Sequence, residues 1–362
     1  MKLTPNADGT HPLKTHHRSW RHLAWRPFIE RLRRSDAPIL VGPWRGEIGF
    51  EALYWTAFVE KVIEEYKIDR ARMIPISRGG AAIWYGCPKG VELYAMRTPQ
   101  QVRVQTRVEV TLTGSFKQAS VTDFDRGILR DAAETLKLGK RYHVLHPAWM
   151  YHRLAQFWTG HRGVEWVGKR LRFQTIGVPA LPEGLTLPEQ FVAVRFYARP
   201  TFPVHKLVNQ FVGASLEELS SKYDVVLLDH NLYLDDHDDL TLNVSGPRVH
   251  HLSQLCKLTP ETNLTISSAV LGRALGFVGT YGGFGQLALR MCKPSVTYFL
   301  DWGHFTAIAH RNLADALSIR SGIPAMVLKL NELAMLQSVM PIVQMAMPKP
   351  SQFTVAKGPQ PS

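Results

Sequence analysis

Residues able to do acid–base and anion-binding chemistry gather in two glycine-rich stretches of this chain. The first is GPWRGEIGFE, Gly42 to Glu51. Glu47 sits in a loop just after a short apolar run, at the carboxyl end of what reads as a strand. Open α/β sheets bind ligands there. A carboxylate so placed serves as general base toward a hydroxyl when partial burial raises its pKa. Gly46 keeps the loop adaptable, and Arg45 could hold a phosphate or carboxylate or pair with Glu47. Glu51, one helical turn further on, reads as a first-turn residue favoured by the helix dipole.

The second stretch is FVGTYGGFGQLALRMCKPSVTYF, Phe277 to Phe299. It reads as a buried strand, a glycine-rich turn, a short amphipathic helix stopped by Lys293-Pro294, and another strand. Glycines here let the backbone approach a ligand, and the helix N-terminus offers free N–H groups to an anion. Thr280, Tyr281, Gly282, Gly283, Phe284 and Gln286 would line a seat for a diphosphate. The other reading is a plain strand-to-helix turn. The spacing is neither G-x-G-x-x-G nor G-x-x-x-x-G-K-[ST], so dinucleotide and P-loop chemistry are unsupported.

Further candidates lie between these stretches. In VRFYARPTFPVHK, Arg195, Arg199, His205 and Lys206 cluster past a strand end, and arginine forks suit phosphate oxygens. Asp229 and His230 close a buried strand and could meet a substrate hydroxyl. Asp235, Asp236, His237, Asp238 and Asp239 form the densest acidic run, which could bind a hard divalent cation through oxygens or be a solvated loop; its spacing matches no EF-hand. Asn263, Thr265 and Ser267 could line a cleft, or Thr259 could simply cap a helix.

The elements that must position these residues alternate between strand-like and helix-like, which argues for α/β layers and mainly parallel sheets. Strands are expected at 37–42, 72–77, 91–96, 142–145, 191–196, 224–229, 248–252, 295–299 and 326–330, with one more ending at Phe277 and Val278. Helices are expected at 50–66, 123–138, 204–223, 260–275, near 305–319 and near 332–344. Residues 102–112 alternate in part and read as an added β element. Pro179, Pro182 and Pro188 mark a crossing at 179–190, between a domain at 35–178 and another at 191–347. The tail from 348 to 362 reads as disordered.

The chain has 362 residues, 45% hydrophobic and 20% charged, which describes a globular protein with room for two cores. Neither a membrane-length apolar run nor a secretory signal is visible. Cys87, Cys256 and Cys292 lack metal-ligand spacing and fit a reducing cytosol. A net charge of +13 calls for an anionic partner or a tolerated basic surface. Residues 17–34 place Trp20, Leu23, Ala24, Trp25, Phe28 and Leu32 on one helical face with an arginine rim. That pattern suits an anionic membrane surface, or docking on the chain's own domain. Nucleic acid is not expected, because no recognised binding motif is present.

The layout and these motifs together resemble the two-domain GT-B glycosyltransferases, in particular heptosyltransferase-like and fucosyltransferase-like members. The resemblance covers the overall layout and three short motifs. It implies two Rossmann-like domains facing across a cleft. A nucleotide-sugar diphosphate would lie on the Gly279–Phe299 unit, near Arg195 and Arg199, with Glu47 as catalytic base toward a glycan or glycolipid acceptor. TYGG stands where the fucosyltransferase pattern has serines. The E-x-seven-E pair of retaining members is absent, so direct inverting displacement is expected, with no metal or cofactor required. The expected setting is the cytoplasm, in cell-surface polysaccharide or glycolipid synthesis. Rival expectations are an epimerase or hydrolase of the same layout, and a noncatalytic basic protein on membranes or nucleic acid.

Overall fold

The computed structural model describes residues 18–113, 118–199, 202–204, 206–234, 238–240, 244–300 and 305–330. The chain opens on α1 (Arg18–Arg34), where Trp25, Ile29 and Leu32 recur at helical spacing and are buried. Phe28 stacks on Trp149 with ring centroids 4.8 Å apart, and Trp25 packs against Phe58 and Tyr66. Of the two roles expected for this face, the part carrying Trp25, Phe28 and Leu32 takes the second and is docked on the protein's own core. Burying each large apolar side chain there is worth about 1.5–3 kcal/mol. Exposed Arg26, Arg31, Arg33 and Arg34 form the outer rim. Among the described residues no helix is long and apolar enough to cross a membrane.

The first sheet contains β1 (Ile39–Val41), β2 (Met73–Ser77), β3 (Val91–Glu92) and β4 (His143–Leu145), all parallel, in the order β3-β2-β1-β4. Both β1 and β2 are buried along their whole length, so they read as unbroken apolar runs rather than alternating ones. Between them run α2 (Ile48–Phe50), a π-helical turn over Glu51–Trp55, and α3 (Thr56–Tyr66). Next come α4 (Pro99–Thr113) and α5 (Asp123–Thr135), and after β4 follow α6 (Ala148–Trp158) and α7 (Val164–Gly168).

Residues 102–112, expected as a β element, are thus the body of a helix. The signal that outweighs their alternation is a capping box. The Gln101 N–H donates to Thr98 Oγ1 at 3.3 Å, and the Thr98 N–H donates to Gln101 Oε1 at 2.9 Å, with Pro99 opening the first turn. The expected strand 91–96 also shortens to Val91–Glu92.

Residues 175–190 hold no helix or strand. The second half then runs β5 (Phe191–Arg195), β6 (Tyr197–Ala198), α8 (Lys206–Ser220), β7 (Asp224–Leu227), β8 (Asp238–Asp239) and β9 (Val249–His251). It continues through α9 (Leu252–Leu255), α10 (Asn263–Leu271), β10 (Phe277–Thr280), α11 (Gly283–Arg290), β11 (Ser295–Phe299), α12 (Phe305–Ser321) and β12 (Ala325–Lys329). Six of these strands form a parallel sheet in the order β12-β11-β10-β5-β7-β9, while β6 and β8 pair antiparallel. The chain starts in the middle at β5, works out to β9, then restarts beside β5 at β10. That is a doubly wound order with its reversal between β5 and β10, and the first sheet reverses in the same way between β1 and β4. The expected helix 332–344 and the tail lie outside the described residues.

The halves meet where α11 packs on α2 and the π-turn, and one apolar cluster including Trp55, Phe58, Phe284 and Leu287 runs through both. A Cβ on Gly49 would fall 1.9 Å from Gln286 Oε1 and 3.2 Å from the Gly283 Cα. A Cβ on Gly283 would fall 2.9 Å from the Ile48 Cβ and 3.1 Å from the Gly49 nitrogen. Gly213, inside α8, has nothing within 4 Å of such a Cβ. Gly283→Ala is expected to lose about 1–3 kcal/mol of stability through overpacking. Gly213→Ala is expected to gain about 0.5–1 kcal/mol from helix propensity. Urea unfolding of both variants checks the pair, and equal effects would show that the inter-half contact is loose.

Candidate functional site

The loop after β1 is clamped from inside its own domain. Arg45 is fully buried, donating from Nε to Asp125 Oδ1 at 2.8 Å and from Nη2 to Glu109 Oε1 at 2.6 Å. The Gln118 side chain accepts the Arg45 N–H at 2.8 Å and donates to the Pro43 carbonyl at 2.7 Å. Burial would raise Asp125, but the His146 hydrogen bond and the Arg45 charge outweigh it and hold its carboxyl below the usual range. The sequence left Arg45 open to a ligand or to Glu47. The structure commits its guanidinium to two internal carboxylates, because a buried cation is tolerated only when paired.

Glu47 stands at the N-cap of α2 and makes no side-chain capping hydrogen bond. It is half-buried, and its charge acts on Tyr151 in its own half and on Arg199 in the other. Arg199 donates from Nη1 to the Tyr281 carbonyl at 3.0 Å. Burial alone would lower this guanidinium; Tyr197, Glu47 and Tyr281 outweigh it and leave it raised. A Cβ on Gly282 would fall 2.1 Å from Tyr197 Oη and 2.6 Å from Arg199 Nη1, so only a bare backbone fits there. The structure therefore brings Glu47, Arg199, Tyr281, Gly282, Gly283 and Gln286 together at the junction of the two halves.

Arg195, which ends β5, is braced rather than exposed. The β6–β8 pairing carries Asp239 to it, with contacts of 2.9 Å at Nε and 2.8 Å at Nη2. His230 Nε2 lies 2.6 Å from Nη2, and the Phe284 ring centroid lies 4.7 Å from the guanidinium carbon. Arg195, His230, Asn263, Arg78, Tyr94 and Ile48 line a small cavity of about 20 Å³ between the halves. Asn263 is one of these lining residues, with its Nδ2 also donating to the Pro260 carbonyl at 2.7 Å.

Other expected residues serve the fold instead. Asp229 accepts from Ser253 Oγ at 2.8 Å and faces His251 Nδ1 at 3.0 Å, so it fastens β9 and α9, while its neighbour His230 reaches the cavity. Thr280 bridges β10 to β6, accepting the Tyr197 N–H at 3.0 Å and donating to the Tyr197 carbonyl at 3.1 Å. Phe284 is core. His205 and 235–237 lie outside the described residues. Among the described residues no group of three or more His, Cys, Asp or Glu could hold a metal ion.

Sequence reasoning missed Arg78, and it placed Glu51 in a first turn without seeing its burial. Arg78 follows β2, donates to the Gly46 carbonyl, and lines the cavity from the first half. Its loop continues through Gly79 (φ 64°) and Gly80 (φ 80°), whose N–H groups donate to Glu92 at 3.0 and 2.7 Å. The Gly79 carbonyl in turn accepts the Leu264 and Thr265 N–H groups of α10, each at 2.9 Å. Glu51 is fully buried, accepting from Ser77 Oγ at 2.5 Å and Tyr85 Oη at 2.7 Å, with Arg78 acting on its charge. Burial pushes its carboxyl up to about 7 despite those partners, and burial likewise pushes Glu92 up to about 7.

No family model matches the chain, and no curated protein matches it. Among solved structures, the chain is similar to a family 9 glycosyl transferase from Veillonella parvula, with 10% identity over 89% of this chain and 92% of that one, at a TM-score of 0.44. It is similar to the glycosyltransferase SnogD from Streptomyces nogalater, with 12% identity over 82% and 87%, at a TM-score of 0.37. It is also similar to the dodecameric iron-containing heptosyltransferase TibC, solved with ADP-D-beta-D-heptose, with 12% identity over 73% and 59%, at 0.35.

The buried carboxyls set a pH dependence. Unfolded, Glu51 and Glu92 ionise near the ordinary value of 4.5; folded, they hold their protons to about 7. Between these values the unfolded chain binds fewer protons, so their contribution to stability falls as pH rises and then levels off above about 7. Glu51→Gln removes one such group. Its melting temperature relative to the parent is expected to climb from pH 4.5 to pH 8, equivalent to at most about 3 kcal/mol. A difference that stays flat across that range would show that Glu51 is ionised in the fold.

Proposed function

We propose that the chain is a glycosyltransferase that moves a sugar from a nucleotide-sugar donor to a hydroxyl of a glycan or glycolipid acceptor. The observation that carries this reading is the meeting of Glu47, at the switch point of the first sheet, with Arg199 and the glycine turn at the switch point of the second. Two doubly wound units facing at their ligand-binding ends are the layout of the GT-B glycosyltransferases.

Glu47 takes the proton of the acceptor hydroxyl, whose oxygen attacks the anomeric carbon of the donor sugar. The bond from that carbon to the diphosphate breaks, and its electron pair leaves with the diphosphate, inverting the centre. Arg199, the N-terminus of α11, and the cavity arginines Arg195 and Arg78 stabilise the departing charge. No step calls for a metal. A cavity of about 20 Å³ is roughly the size of one water, so a nucleotide sugar enters only as the halves part near Gly49 and Gly283.

Glu47→Gln is expected to lower the transfer rate by about 10²–10⁴-fold. Calorimetry should find nucleoside-diphosphate binding unchanged in that variant. Full turnover by Glu47→Gln would remove the base assignment. Turnover of a nucleotide sugar without any acceptor would favour the epimerase or hydrolase reading instead.

A further inference from the structure

A second cavity, larger than the one between the switch points, shares no residue with it. It has a volume of about 370 Å³ and lies where 174–179 pass α3, the turn over Ala81–Tyr85 and the end of α11. That volume falls in the range of pockets that take small molecules. One wall is apolar, with Trp84 fixed by its indole donating to Ser268 Oγ at 2.9 Å, and with Ile83 48% and Val178 45% exposed at the mouth.

The charges in this cavity do not cancel. Glu60 is neutralised by Arg70, whose Nη2 lies 2.6 and 2.7 Å from its two oxygens, and it also accepts from Gln174 Nε2 at 2.6 Å. Arg290 remains. It donates to the Ala52 carbonyl at 2.6 Å, to Thr56 Oγ1 at 3.3 Å and to the Gln174 carbonyl at 2.6 Å, all of them neutral acceptors. Its guanidinium carbon also lies 5.3 Å from the Phe173 ring centroid, and the Glu60 charge reaches it only from the pair with Arg70. Burial lowers this guanidinium to about 10, with the charges of Cys292 and Glu60 only partly opposing. A buried guanidinium whose hydrogen bonds go to neutral oxygens, in a cavity whose one carboxylate is already paired with Arg70, favours an anion beside it.

We propose that this cavity is a binding site for a small organic anion, its charged group against Arg290 and its apolar body against Trp84, Ile83 and Val178. The proposal stands apart from the sugar-transfer reading, since none of its residues belongs to the cleft. Arginine favours carboxylate or phosphate oxygens in a planar fork, and the flat indole wall favours an aromatic or branched aliphatic body.

Phenyl phosphate is a suitable probe, with phenol and inorganic phosphate as controls. Calorimetry on the full chain is expected to give saturable phenyl phosphate binding, at least about ten-fold tighter than either control. The indole N–H resonance of Trp84 should shift on titration. Ile83→Trp, which fills the mouth from an exposed position, should weaken binding by about ten-fold or more without altering the unfolding transition. Arg290→Gln should do the same if it folds, and Ile83→Trp decides the matter if it does not. Arg199→Ala, in the cleft, should leave binding unchanged. Binding that survives Ile83→Trp but is lost in Arg199→Ala would assign the anion to the cleft and overturn the proposal, as would phenol binding equally well or no saturable binding at all.

Discussion

The site depends on the room between Gly49 and Gly283, where a Cβ on either residue would come within 3.2 Å of the other's backbone. That contact lets α11 of one half rest directly on α2 of the other. Both sheets are parallel, so each gathers its loops at the carboxyl ends of its strands, and each reverses its winding once. With the two reversals face to face, Glu47 and Arg199 become neighbours although they come from separate sheets. A side chain at either glycine would hold the two loops apart and separate carboxylate from cation.

Two arginines next to that meeting are held in place by the chain's own carboxylates. Arg45 is consumed by Asp125 and Glu109, and Arg195 is braced by Asp239. Burying a guanidinium costs several kcal/mol in lost hydration, and removing one partner of such a pair typically costs about 3–5 kcal/mol. These arginines therefore stiffen the loops on which the site stands. The net charge of +13 is a weak guide to what the cleft binds.

The sequence showed the strands well, because buried parallel strands are continuous apolar runs bounded by glycine and proline. Glu47 and the glycine turn were legible for the same reason, each following such a run. Residues 102–112 misled because Val102, Val104, Val108 and Val110 fall on alternate positions, as in a strand; the capping pair Thr98 and Gln101 was the better signal. Partners were not legible. Arg45 finds its carboxylates 64 and 80 positions away, and Thr280 finds Tyr197 at a separation of 83, so no local pattern announces them. Glu51 does open a helical turn, but its burial against Ser77 and Tyr85, 26 and 34 positions away, has no spacing signature. Arg78 could have been suspected from the paired glycines that follow a buried strand.

Opening of the halves is constrained by what α11 holds at its two ends. Its eight residues span about 12 Å, from Gly283 in the cleft to Arg290 behind it. Arg290 binds the Ala52 carbonyl of the first half and the Gln174 carbonyl at the start of the crossing, and both bonds are buried or nearly so. The apolar cluster that includes Ala52, Trp55, Leu287 and Met291 lies along the same stretch. Lifting α11 away as a whole would break those bonds, strand a buried cation and wet the cluster. Rotation about the Arg290 end keeps all three in place and moves chiefly the Gly283 end. The contact surrendered is then the one at Gly49, where Gln286 and Ile48 close over two bare glycines. The hydrogen bonds at Arg290 therefore make its end of α11 the more costly one to displace.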